Sequence, residues 1–196
     1  MLDAGALDSG VATGAMTLIK TLTASNSSTL SLVHGSSSVV FDGTYKSYVI
    51  KCIDIHPGND DVYFQMNVSI DSGSNYNVTK TTTTFRSGHN EGDSTTQLSY
   101  VAAYDLAQGT GFQGLTEGDG IDNDQSCSGT LTIFNPASTT FAKHYISNFN
   151  AYRHNDFSAN WYTAGYANTT SAVNAIRFKY LGGNIDTGTI KMYGIK

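Results

Sequence analysis

The densest run of oxygen ligands in the chain is Glu117-Gly118-Asp119-Gly120-Ile121-Asp122-Asn123-Asp124. Calcium collects carboxylate and carbonyl oxygens from a tight turn, so Asp119, Asp122 and Asp124 are the candidate metal ligands. The run departs from the helix-loop-helix calcium pattern. Counted from Asp122, Cys127 stands where that pattern has its glycine, and Ile133 where it has its bidentate glutamate. A second group, His89, Glu91 and Asp93 in GHNEGD, shares one parity but falls in a turn composition rich in Gly, Asn and Asp.

Hydrolytic chemistry finds less to stand on. No G-x-S-x-G elbow occurs, and His34, His56, His89, His144 and His154 are scattered without the spacing that puts two imidazoles on one metal. Glycoside hydrolysis needs two carboxylates on rigid strands. Glu91 and Glu117 lie in glycine-bearing loops, and Asp54 is the main aspartate on a strand. No enzyme activity and no cofactor are expected. The aromatic run FNAYRHNDFSANWYTAGY offers Tyr152, Trp161 and Tyr162 as a platform for sugar rings, and the same side chains suit a core or a subunit interface. Four N-x-S/T matches, at Asn26, Asn67, Asn77 and Asn168, are what chance gives in so Asn- and Thr-rich a chain.

The elements that must position these groups follow from composition. A chain of 196 residues is one domain of ordinary size. Only 14% of residues are charged, whereas 21 Ser, 24 Thr, 15 Asn and 20 Gly supply most of the polarity. The acidic residues are 14 Asp against 2 Glu, which favours turns over helices. A net charge of -5 with no basic cluster excludes nucleic-acid binding. No apolar stretch approaches the roughly 18 residues of a membrane-spanning helix, so no membrane insertion is expected. Met1 to Met16 lacks the charged end and apolar centre of a secretion signal. Cys52 and Cys127 are therefore read as two reduced thiols, not bonded to each other.

Residues 1 to 15, MLDAGALDSGVATGA, are too small and polar to fold alone and read as an extended arm; Met1, Leu2, Leu7 and Val11 are its partner-contact residues. From Met16 to residue 196 the pattern is that of short strands. Met16, Leu18 and Leu22 share a parity, as do Leu30 and Leu32, with a turn at Ala24 to Ser28. Val62, Phe64, Met66, Val68 and Ile70 alternate with Tyr63, Gln65, Asn67 and Ser69, giving one buried and one wet face. Tyr45 to Ile55 is apolar on both parities and suits a central strand, with His56 to Asp60 as the turn that makes the two segments a hairpin. Further strands fall at 78–86, 97–104, 130–134, 141–149, 161–166, 172–181 and 189–195, about eleven in all. Loops are expected at 35–44, 87–94, 152–160 and, longest, 105–129, whose Phe112 is a further candidate partner contact. The fold class is an all-β antiparallel β-sandwich, jelly-roll-like, with a short N-terminal arm.

Several segments resemble a known family: FDGTYKSYVIKCIDIHP (41–57), SNYNVTKTTTTFR (74–86), DLAQGTGFQ (105–113), LTIFNPASTTFAKHYIS (131–147) and NTTSAVNAIRFKYLGGNIDTGTIKMYGIK (168–196). They are similar to small β-sandwich structural proteins of tailed, mainly marine bacteriophages, labelled tail-fibre-like or virion proteins. The resemblance spans residues 16 to 196 and is carried by sheet and turn positions. It implies architecture and a place in the virion, assembled in host cytoplasm, with other virion structural proteins as partners. It transfers no active site. Tail association is the leading expectation, with capsid decoration of the head or a glycan-binding adhesin as alternatives. Analogy with phage fibres and spikes points to a homotrimer.

Overall fold

Alternating patterns with Gly, Asn and Asp between them do fold as β-structure throughout. The computed structural model describes residues 16 to 196; the arm of residues 1 to 15, with Met1, Leu2, Leu7 and Val11, lies outside the described residues. Twelve strands occur there: β1 (Thr17–Thr23), β2 (Leu30–Val33), β3 (Ser47–Pro57), β4 (Tyr63–Ser69), β5 (Lys80–Asn90), β6 (Thr96–Tyr100), β7 (Gln113–Gly114), β8 (Cys127–Phe134), β9 (Lys143–Arg153), β10 (Phe157–Ala167), β11 (Ala175–Leu181) and β12 (Ile185–Ile195). Helix among the described residues is limited to one 3-10 turn, Ala102–Tyr104.

All pairings are antiparallel, in two sheets. The larger has eight strands in the order β1-β12-β3-β8-β9-β10-β5-β6, and the smaller has four in the order β2-β11-β4-β7. Their inner faces meet in one core: Tyr48, Ile50, Leu131, Phe149 and Trp161 from the larger sheet face Leu32, Phe64, Met66, Ile176 and Phe178 from the smaller. Phe64 stacks on Phe178 at 5.7 Å and reaches across to Phe149 at 6.0 Å. The antiparallel β-sandwich is thus present.

Pairing corrects the sequence reading in three places. β3 and β4 are not a hairpin. Both hydrogen-bonding edges of β3 are taken by β12 and β8, and both edges of β4 by β11 and β7, so the connection after Pro57 crosses between the sheets. The segment 152–160 is not a loop. β9 and β10 pair from Phe157↔Arg153 to Ala167↔Lys143, and only His154, Asn155 and Asp156 turn the corner, with Asp156 at φ 56°. Nor is the polar face of β4 wet throughout, because Asn67 and Ser69 are fully buried under the connection that follows the strand.

The stretch 105–129 lies on its own sandwich. Gln113, Leu115, Thr116, Asp119 and Gln125 are all buried, and β7 adds two residues to the smaller sheet. Cys127 is not in a loop; it opens β8, opposite Ile55. Both cysteines are free and buried, and burial holds both thiols well above their ordinary range.

Candidate functional site

Among the described residues, the outer face of the larger sheet is left uncovered. Period-2 geometry puts Tyr162, Ala164 and Tyr166 of β10 outward. Register sets Tyr162 between Asn148 and Phe85, Ala164 between Ile146 and Thr83, and Tyr166 between His144 and Thr81. β6 extends the row, with Tyr100 opposite Phe85 and Leu98 opposite Ser87. Phe85 and Tyr162 stack at 4.8 Å. These apolar groups stay in water: Leu98 is 78% exposed, Tyr100 65%, Ile146 55% and Phe85 44%.

Small residues in the middle of β10 make this face concave. A groove of about 540 Å³ runs over Ala164 and Gly165, walled by Thr81, Thr83, His144, Ile146 and Tyr166. A smaller hollow of about 150 Å³ continues it toward Phe85 and Tyr162. Further along the same strands the chemistry changes. Tyr152, Asn150 and Ser158 lie with His89, Asn90 and Glu91 around a polar hollow of about 620 Å³. The Tyr152 hydroxyl donates to Asp156 Oδ1 at 3.4 Å, and the neighbouring Glu91 carboxylate raises that phenol to about 12.

Of the aromatic platform, Tyr152 and Tyr162 are therefore on this face, and Trp161 is not. Trp161 is 1% exposed because it shares the inward parity of Phe157, Ala159 and Thr163. Its ring lies between Tyr104, 5.5 Å away, and the Arg86 guanidinium, 4.9 Å away, so it cannot stack on a sugar. Arg86 also pairs with Glu117, which gives that glutamate a structural partner. Phe112 is half-buried beside Tyr63 and Tyr104, with Lys179 4.6 Å above its ring.

The acidic run does not converge. Asp119 points into the core, where Thr116 donates to its Oδ2 at 2.8 Å and Tyr180 at 3.0 Å, while Asp122 and Asp124 are exposed on the surface. Gln125 occupies the turn instead, accepting from the Asp122 N–H at 3.1 Å. Among the described residues no group of three or more His, Cys, Asp and Glu side chains is placed to hold a metal ion. His89 contacts Asp93 at 3.0 Å, without Glu91.

Asp119 is the functional-looking group that spacing alone does not reveal. Burial pushes its carboxyl up to about 6, against the opposing pull of the Thr116, Cys127 and Tyr180 contacts and of Arg153. Among the described residues its Oδ1 has no hydrogen-bond partner. Its backbone pairs with Val62, N–H to carbonyl at 2.9 Å, which ties the 105–129 segment to the entry of β4. The sequence signal that was available is the Thr116, Asp119 spacing; nothing in it announced burial.

Comparison with known protein families, with curated proteins and with solved structures gives no match.

Proposed function

We propose that the protein is a non-enzymatic structural subunit of the exterior of a tailed-phage particle, associated with the tail. It assembles by covering the outer face of its larger sheet with further copies of itself. The observation that carries this is the exposed aliphatic and aromatic strip formed by Leu98, Tyr100, Phe85, Tyr162 and Ile146. Contiguous exposed apolar surface on a folded chain marks an interaction site, and a charge-poor surface offers little resistance to association. The resemblance to phage sandwich proteins supports the virion setting. The way β1, β3, β8 and β12 alternate between sheets with β2, β4, β7 and β11 supports jelly-roll winding.

The test is light scattering coupled to size exclusion. A trimer is expected, with Ile146→Ser and Tyr162→Ser each shifting it toward monomer; a wild-type monomer at every concentration rejects self-association through this face. The adhesin reading has its own observation, the polar hollow of Tyr152, Asn150, Ser158 and Glu91. Binding on a glycan array that Tyr152→Ala abolishes would favour it.

A further inference from the structure

Lys80 is wholly buried at the start of β5. Among the described residues it has no carboxylate partner: its Nζ donates to Asn67 Oδ1 at 2.7 Å and to the Val78 carbonyl at 2.7 Å. A buried ammonium without a counter-charge is unfavourable, and burial lowers the Lys80 amine to about 8. A neutral, nucleophilic amine is thereby held against a side-chain amide at mildly alkaline pH.

Asn67 is equally buried and is gripped at both ends of its amide. Its Oδ1 receives a second donor, the Val68 N–H at 2.8 Å, placed as an oxyanion-hole donor would be. Its Nδ2 faces three backbone carbonyls, Tyr76 at 2.6 Å, Thr110 at 3.0 Å and Gly111 at 3.2 Å. Those acceptors surround the atom that gains a proton when an amide nitrogen departs. With Oδ1 taking donors and Nδ2 facing only acceptors, the orientation of the amide is fixed.

We propose that Lys80 and Asn67 join in an intramolecular isopeptide bond that staples β5 of the larger sheet to β4 of the smaller. The lone pair of neutral Nζ attacks Asn67 Cγ and forms the new C–N bond, while the carbonyl electrons move to Oδ1 beside the Val68 N–H. One Nζ proton passes to Nδ2. The Cγ–Nδ2 bond then breaks with its electron pair on nitrogen, the carbonyl re-forms, and ammonia leaves. The products are a secondary amide and one ammonia, with no oxidant, reductant or cofactor consumed.

Among the described residues no carboxylate hydrogen-bonds to either side chain to relay that proton. The step is therefore slow, and its rate follows the neutral fraction of Lys80. Lys143 is the internal contrast. It is also wholly buried, yet its Nζ donates to the backbone carbonyls of Phe141 at 2.8 Å and Thr169 at 3.0 Å, and no side-chain amide is set against it. Burial alone does not make such a pair.

Intact-mass measurement and tryptic mapping of the full chain decide the matter. Folded protein held at about pH 9, above the point where the buried amine is half neutral, is expected to have lost the mass of one ammonia. Trypsin then fails to cut after Lys80, and residues 52–86 are recovered as one peptide lacking that ammonia. Lys80→Met retains the full mass, which also separates the cross-link from cyclisation of an asparagine on its own backbone. Full mass and normal cleavage after Lys80 in the wild type after prolonged incubation overturn the proposal. So does an ammonia loss that persists in Lys80→Met. The wild-type map decides by itself, so a variant that fails to fold does not blunt the test.

Discussion

Asp119 is a buried acid whose two oxygens live differently, one accepting from Thr116 and Tyr180 and the other unpartnered among the described residues. With its carboxyl raised from 3.8 to about 6, the folded chain keeps a proton between about pH 4 and 6 that the unfolded chain has released. Stability from this group is therefore full below that window and is lost as pH rises through it. The loss across the window is up to roughly 3 kcal/mol. Asp119→Asn keeps an oxygen for Thr116 and Tyr180 and carries no charge. Chemical denaturation at pH 4, 5, 6 and 7 is expected to show the unfolding free energy of the wild type falling over that range relative to the variant. Parallel pH profiles would show that Asp119 ionises as freely in the folded chain as in the unfolded one.

At the scale of elements, one device recurs: an aromatic ring covers a glycine inside a strand. A Cβ at Gly129 of β8 would sit 2.4 Å from the Phe149 ring and 2.5 Å from the Asn148 carbonyl; at Gly88 of β5 it would sit 2.3 Å from Phe157. Phe149 can reach Phe64 across the core because Gly129 leaves that space. Gly129→Ala is expected to cost about 1–3 kcal/mol through overpacking, read as a lower urea midpoint with unchanged slope. An unchanged midpoint would mean that Phe149 has room to move. The same device explains what sequence reading could and could not reach. The alternation of Val62 to Val68 told which side chains of β4 point into the core, and β3 was recognisably central. Glycine, however, reads as a turn signal, so Gly88 cuts the expected β5 at 86 although the strand runs to Asn90; in 152–160 the Asn, Asp and Ser residues give the same turn signal, although β10 runs from Phe157. With 152–160 read as a loop, parity does not send Trp161 inward and Tyr162 outward. Pairing was out of reach for a different reason: whether β4 pairs with β3 or with β11 depends on partners more than a hundred residues away, which no local pattern encodes. Nothing in the sequence marks Lys80 and Asn67 as buried, because both residue types are usually exposed.

For the whole molecule, the edges of the larger sheet bear on assembly. Among the described residues β1 forms one edge, bonded to β12 alone, and begins at Thr17, one residue after the segment whose composition marks it as an arm. The contacts that hold β1 run from Thr17↔Gly194 to Thr23↔Thr189, and the core lies beyond them. Removing residues 2 to 14 therefore takes away no described pairing of the sandwich. The truncated chain is expected to fold with the same far-UV circular dichroism and the same thermal midpoint, because every described side chain of the core is kept. Met1, Leu2, Leu7 and Val11 have few apolar neighbours in the arm to offset the roughly 1 to 2 kcal/mol of backbone entropy lost per ordered residue. If the proposed virion role holds, a neighbouring subunit or another virion protein supplies that surface, and incorporation into particles should fall when the arm is deleted. Self-association through Phe85, Ile146 and Tyr162 should survive the deletion, since these residues lie on β5, β9 and β10, at the other end of the strand order. Loss of the oligomer together with the arm would move the assembly contact from the sheet face to the N-terminus. Loss of folding would show that the first fifteen residues complete the sandwich itself.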